Sequence, residues 1–248
     1  MMLRKLKASI KALLRKSPYK IIRAADYNRF EAIEETLRAL KRRGYAPKVI
    51  ADGGANVGSF SLLADEIFGP NLKIHMFDPQ PACAPALEAL ARSRGYVHHA
   101  AAMGAKSDEA LHFLVDPSSV TTGAHVGEVA TPSTVSVLSI TLDEVFASWV
   151  RPDDHMLLKL DLQGWELEAL RGGRETLRNI EVALVEVSFF AQSYEPSIAQ
   201  LVRFFDDAGF ELYDIASLYP RPRDNRPRNG DFVFVRSSSA LCEDKAWA

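Results

Sequence analysis

The sequence predicts an α/β protein with a mainly parallel sheet, helices on both of its faces and an antiparallel pair of strands at the end of the chain. Two observations predict it. From Lys48 to Val187 short apolar runs alternate with helical stretches, the pattern that right-handed crossovers build into a parallel sheet. The last two runs, Glu211–Ile215 and Asp231–Val235, are joined by a Pro/Arg-rich loop with no helix between them, which makes them antiparallel neighbours.

Composition sets the outer bounds. A chain of 248 residues with 47% hydrophobic and 25% charged residues fits one globular domain carrying an arm and excludes wholesale disorder. Cys83 and Cys242 lie too far apart for a disulfide framework or a clustered zinc site, and a reducing, cytoplasmic compartment is the simplest reading. A net charge of −2 argues against a protein that coats nucleic acid. No apolar run approaches the ~18–20 residues of a membrane span.

The charge is unevenly spread. Residues 1–20 hold Arg4, Lys5, Lys7, Lys11, Arg15, Lys16 and Lys20 and no acid, with Leu3, Leu6, Ile10, Leu13 and Leu14 at helical spacing. This is either a docked terminal helix or a helix lying on an anionic membrane surface. Arg29–Arg43 continues as a helix with Phe30, Ile33, Leu37 and Leu40 on one stripe, stopped by Gly44, so residues 1–44 form a basic, helical arm. Residues 45–248 form the α/β domain.

Within that domain the strands are Lys48–Ala51, Lys73–Phe77, Tyr96–Ala101, Met156–Leu160 and Val182–Val187. Helices over Ser59–Phe68, Ala82–Ser93, Trp165–Leu177 and Ser197–Ala208 separate or follow them. Residues 107–148 break the rhythm: Leu111–Val115 and Thr134–Ile140 are strands flanking a Ser/Thr/Gly/Pro-rich loop, Pro117–Pro132. This insertion is a lid or an ordinary surface excursion.

Ligands of such sheets bind beyond the carboxyl ends of the strands, so the strand tips supply the candidates. The first strand runs into Asp52-Gly53-Gly54-Ala55-Asn56-Val57-Gly58, a turn that lets backbone approach a ligand and opens a helix towards it. Ala55 stands where a dinucleotide fingerprint needs its middle glycine, and the acid Asp52 suits a cationic ligand such as an α-amino group. Asp78, ending the second strand, can accept hydrogen bonds from both hydroxyls of a ribose, or cap the following helix. Ala101, at the third tip, leaves room for a flat ring.

The fourth tip holds Lys159 and Asp161, and Glu186 ends the neighbouring strand. Charges in a central strand pair or act. Asp161 is the candidate general base, with Glu186 and Lys159 beside it, and the two carboxylates are also candidate ligands for Mg²⁺. A purely structural ion network of the three is the alternative. Glu166 and Glu168 fall in a first helical turn and suit its dipole. His99, Arg221 and Arg223 are candidate acceptor-binding residues, since arginine forks match phosphate or carboxylate groups. The loop 220–228 otherwise reads as a solvated hairpin.

The segments Asp52-Gly53-Gly54-Ala55-Asn56-Val57-Gly58-Ser59-Phe60, Phe77-Asp78-Pro79, Thr141-Leu142-Asp143, Leu158-Lys159-Leu160-Asp161-Leu162-Gln163-Gly164-Trp165-Glu166 and Val185-Glu186 together resemble the FkbM family of S-adenosylmethionine-dependent methyltransferases. The resemblance covers roughly residues 48–190. It implies a Rossmann-like class I methyltransferase fold, with a mainly parallel seven-stranded sheet and an antiparallel C-terminal strand. It also implies O-methylation of a sugar, glycan or natural-product hydroxyl. Carried over by position, Asp52, Gly54 and Asn56 hold the methionine end of the cofactor and Asp78 its ribose, with Gly53, Gly58 and Ala101 as further candidate cofactor-binding residues. This chain departs from the family in its second glycine after Asp52, in Asp78 where glutamate is usual, and in Gln163 where glutamate is usual. A nicotinamide oxidoreductase or a non-catalytic binding protein on the same fold are the competing readings, the first disfavoured by Asp52 and Ala55. Expected partners are a small-molecule or glycan acceptor, a membrane surface met by residues 1–20 and a second copy of the chain, but no nucleic acid.

Overall fold

The computed structural model describes residues 29–114, 125–127, 134–191 and 195–246. The basic segment 1–20 and most of the predicted loop Pro117–Pro132 lie outside the described residues.

Helix α1 (Arg29–Arg42) precedes a doubly wound body. Strand β1 (Val49–Gly53) leads to α2 (Ser59–Phe68), β2 (Lys73–Phe77) to α3 (Ala84–Arg94), and β3 (Val97–His99) to the short β4 (Ala102–Met103). Strands β5 (Ala110–Leu114), β6 (His125–Gly127) and β7 (Thr134–Ile140) follow, then α4 (Leu142–Phe146), β8 (Met156–Leu160), α5 (Glu166–Arg171), β9 (Ile180–Ser188), α6 (Ile198–Asp207), β10 (Phe210–Pro220) and β11 (Pro227–Arg236).

The main sheet has seven strands among the described residues, in the order β10-β11-β9-β8-β1-β2-β3. Pairs β3–β2–β1–β8–β9 are parallel and β11 runs antiparallel to both neighbours. The expected antiparallel tail is present, with one refinement: the last strand does not lie at the edge but slots between β9 and β10. Its own residues explain this, since Gly230–Val235 are all buried whereas β10 is largely open to solvent.

Every residue of β1 and of β8 is buried, because each strand is covered on both faces. Val49 and Ala51 face one core layer, with Phe205, Phe232 and Phe234, and the rings of Phe205 and Phe234 stack with their centroids 4.0 Å apart. Ile50 faces the other, with Ile33, Leu37 and Leu40 of α1 and Phe60, Ala64 and Ile67 of α2. The 29–42 helix is therefore packed into the body of the domain.

Two elements differ from expectation. The helix expected over Trp165–Leu177 breaks into α5 and a 3₁₀ turn at Thr176–Asn179. At Gly172 a Cβ would meet the Gly104 carbonyl oxygen at 2.0 Å, so the chain passes too close to its neighbour for a continuous helix with side chains. Asp143 caps the second piece, accepting from the Glu175 and Thr176 amides at 3.1 and 2.7 Å. The insertion, expected as two strands and a loop, is a small sheet in the order β4-β7-β5-β6. Its third strand, β6, is only three residues long, too short for a period to register.

Candidate active site

The strand order reverses at β1, between β2 and β8, and a cavity of about 520 Å³ opens beyond the carboxyl ends there. Its floor is the turn after β1. Gly54 has φ +72°, and a Cβ on it would lie 2.0 Å from the Asp161 carbonyl oxygen, so only glycine lets the β1 and β8 tips touch. Asn56 also takes a left-handed conformation, φ 52°, which asparagine tolerates better than most residues. Gly54, Asn56 and Ala101 line the cavity, together with Ala55, Ala102 and Met103. Gly53 and Gly58 shape the turn from behind: a Cβ on Gly58 would strike Leu90 at 2.3 Å.

Asp52 is fully buried beneath the turn and is not on the cavity wall. One of its oxygens accepts from the Ser61 hydroxyl at 2.7 Å and the other lies 3.4 Å from the Lys159 ammonium. Its expected contact with a bound α-amino group is therefore replaced by a structural one. Lys159 likewise donates to the carbonyls of Gly53 (3.1 Å) and Gly54 (2.9 Å) and stands 3.7 Å from an Asp161 oxygen. It straps the glycine turn to β8.

Asp78 lines the cavity from the β2 tip at 3% exposure. Burial pushes its pKa up, and the N–H groups of Gln80 and Asn56, with the nearby Lys159 charge, push back. Those two amides reach its two oxygens at 2.9 and 2.8 Å. A carboxylate has about four acceptor positions, and one amide on each oxygen leaves room for a further donor on both. The helix-cap alternative is excluded, because α3 begins after Cys83. The cradle of small residues and the buried, oriented Asp78 fit an adenosyl group.

The opposite wall is made by side chains. Asp161, Gln163, Glu186 and Asn229 all line the cavity. The Gln163 amide nitrogen donates to an Asp161 oxygen and to a Glu186 oxygen, each at 2.8 Å. Asn229 of β11 donates to the other Glu186 oxygen at 2.7 Å. The position offered to Mg²⁺ between the two carboxylates is thus taken by an amide. No group of three or more His, Cys, Asp or Glu poised for a metal occurs among the described residues, and the donor set does not fit one. The small sheet contributes Phe113 and Val126, which pack with Trp165 on the same cavity. The Trp165 indole N–H is buried with no hydrogen-bond partner among the described residues.

Glu166, expected only as a favourable helix charge, is 2% exposed and holds the loop before it, accepting from the Leu162 and Gly164 amides at 2.8 and 3.2 Å. Burial lifts its pKa to about 7, against the pull of those amides.

The three expected acceptor residues lie elsewhere. His99 stacks flat on Phe77 and its Nε2 is 3.0 Å from His75 Nδ1, on the flank of the sheet. Burial drops both imidazoles to about 4. Arg221 grips Asp224 with a two-pronged ion pair, while its guanidinium and that of Arg226 cover the Phe190 ring. Neither Arg221, Arg223 nor His99 lines the cavity. The residues that sequence reasoning missed are Asn229, Trp165, Phe113 and Ile33. Ile33 reaches the cavity from α1, on a stripe already visible as helical.

Comparison with known proteins completes the description. The sequence matches the "Methyltransferase FkbM domain" over residues 52–212. Among solved structures it is similar to a methyltransferase FkbM from Methylobacillus flagellatus KT, at 16% identity and a TM-score of 0.45, over 75% of this chain and 43% of that one. The chain thus spans less than half the length of that protein. It is also similar to Aeropyrum pernix fibrillarin in complex with natively bound S-adenosyl-L-methionine, at 15% identity and a TM-score of 0.45, over 82% and 74% of the two chains. A precorrin-6y C5,15-methyltransferase from Geobacter metallireducens GS-15 aligns at 12% identity and a TM-score of 0.43, over 83% and 86%. No curated protein matches the chain.

Proposed function

The chain belongs to the FkbM family of S-adenosylmethionine-dependent methyltransferases, and from that premise we propose that it methylates a hydroxyl oxygen of a sugar, glycan or related natural product. The observation that carries the reading is the pairing of walls around one cavity. Asp161 and Glu186 line one side and the Trp165–Phe113 surface another, with the Asp78 cradle completing it. A polyhydroxylated ring has this same character, with hydroxyls at its edge and C–H groups on its faces.

Bound in the cradle, S-adenosylmethionine supplies an electrophilic methyl group. The chain's residues bind, orient and take a proton. Asp78 and the turn at Gly54 hold the cofactor's sugar and tail, and Ala101 and Met103 leave space beside its base. Asp161 accepts the proton of the acceptor hydroxyl as that oxygen is alkylated, with Glu186 holding a neighbouring hydroxyl. Trp165 and Phe113 offer an apolar surface to the acceptor's C–H faces, and with Val126 they keep water away. Most of the rate comes from holding the oxygen in line with the methyl carbon.

The test is thermal unfolding with S-adenosylmethionine, S-adenosylhomocysteine or NAD, for the wild type and Asp78→Ala, followed by a tritium-transfer screen of hydroxylated acceptors. A ligand at about 100 times its Kd adds ~2.7 kcal/mol, a rise of several degrees for a chain this size. The expected result is a shift with the two adenosyl ligands alone, lost in Asp78→Ala, and label recovered in a base-stable methyl ether. Label recovered on nitrogen or carbon would overturn the O-methylation reading, and a shift with NAD alone would overturn the cofactor assignment.

A further inference from the structure

Asp161 and Glu186 come from adjacent parallel strand ends and point at the same nitrogen, Nε2 of Gln163. Two carboxylates facing one point ordinarily repel, share a proton or hold a cation. We propose that Gln163 stands in this chain in the place of that cation, holding both carboxylates towards the acceptor so that the site works without a metal. The inference rests on the O-methyltransferase reading for what the carboxylates do, but not for how they are held.

Three features carry it. First, the amide group has two N–H bonds that diverge from one nitrogen, and each is spent on a different carboxylate. The reverse orientation would set the amide oxygen against two anions. Second, the place is already filled: both oxygens stand 2.8 Å from the amide nitrogen, at hydrogen-bond distance, where a Mg²⁺ ion would have to displace the side chain to reach them at about 2.1 Å. Third, the backbone is bent to deliver this side chain. Gln163 takes φ +54° and Gly164 φ +104°, an arrangement that a non-glycine residue adopts only when its surroundings enforce it. The enforcing group is Glu166, whose carboxylate ties down the amides on either side of Gln163. Asn229 then fixes the second Glu186 oxygen and Lys159 flanks the second Asp161 oxygen, so the amide is one part of a built network. Gln163 is thus a positioning residue, acting through the two carboxylates.

The experiment is a Mn²⁺ titration followed by electron paramagnetic resonance on the full chain saturated with S-adenosylhomocysteine. It compares the wild type with Gln163→Glu, Gln163→Ala and the double variant Gln163→Glu/Asp161→Asn. Replacing the amide by a third carboxylate should create a cation site. Gln163→Glu is expected to bind Mn²⁺ at least about tenfold more tightly than the wild type, because affinity of such sites follows ligand charge. Asp161→Asn in the double variant should remove that gain. Gln163→Ala, which vacates the place and adds no charge, should fall between the two and serves if Gln163→Glu fails to fold. The proposal is overturned if the wild type binds Mn²⁺ as tightly as Gln163→Glu with Asp161→Asn abolishing it. It is equally overturned if neither single variant binds more tightly than the wild type. The thermal shift with S-adenosylhomocysteine, recorded on the same samples, separates failure of the methyltransferase reading from failure of this one.

Discussion

Where β1 and β2 end, the cavity wall is made by backbone: a glycine turn, amide groups and one carboxylate held by two of them. Where β8 and β9 end, it is made by side chains that bond to one another across three segments of the chain. The first construction tolerates no added atom but needs little chemistry from its side chains. The second depends on which polar atom each side chain carries, and a change of one atom type should rearrange it. The contrast predicts that isosteric changes spare the cofactor end and cripple the acceptor end, while changes of size do the reverse.

The sharpest test is Asp161→Asn, which keeps shape and removes the proposed base. Turnover should fall about 10²–10⁴-fold in single-turnover methyl transfer, the range typical of a lost general base, with S-adenosylhomocysteine binding left within about threefold. Retained turnover would erase the distinction between the two ends.

Gly54→Ala probes the other construction. The added carbon would meet the Asp161 carbonyl at 2.0 Å in a left-handed conformation, and we expect a loss of about 3 kcal/mol in urea unfolding together with loss of cofactor binding. Asp78→Ala removes the proposed ribose acceptor, and calorimetry should show cofactor Kd raised about ten- to a hundredfold.

Glu166 makes the β8 end sensitive to pH. Its carboxyl pKa is raised in the native state to about 7, so between the ordinary carboxylate value and 7 the folded protein holds a proton that the unfolded chain releases. Its contribution is therefore present below about pH 4.5 and lost as pH rises through 7. Glu166→Gln keeps an acceptor oxygen for the loop amides, and its urea stability should be flatter from pH 5 to 8 and higher at pH 8 by about 2 kcal/mol. The smallest effect belongs to His75 and His99, whose pKa values are depressed to about 4. They contribute stability above about pH 6.5 that is lost as pH falls towards 4. His99→Phe should remove about 1 kcal/mol of that acid sensitivity, allowing for partial solvent exposure of the rings.

The same contrast explains what could be read from the sequence. The strand tips, the Gly54 turn and Asp78 were legible because each is written in contiguous residues whose backbone demands are local. Asp161 and Glu186 were legible as charges ending buried strands. What joins them is not, since Gln163 shows in the sequence only as a departure from the family's usual glutamate and Asn229 arrives from a hairpin that otherwise reads as solvated. Its arginines turn to Phe190 and Asp224, partners that no spacing rule reveals. Glu166 sits where a helix-dipole argument suffices, so its burial was invisible. Only the break in the helix after Arg171 had an unread signal, the adjacent Gly172 and Gly173.

The insertion of β11 between β9 and β10 has a consequence for biosynthesis. The cofactor cradle draws mainly on residues up to Met103, with β8 as its support, whereas the acceptor wall waits for Asn229 and the pairing of β11 with β9. As the ribosome delivers the chain from its N-terminus, β1 also waits for its cover, because Val49 and Ala51 share their core layer with Phe205, Phe232 and Phe234. Both halves of the cavity are thereby completed in one late step, set by the arrival of β11.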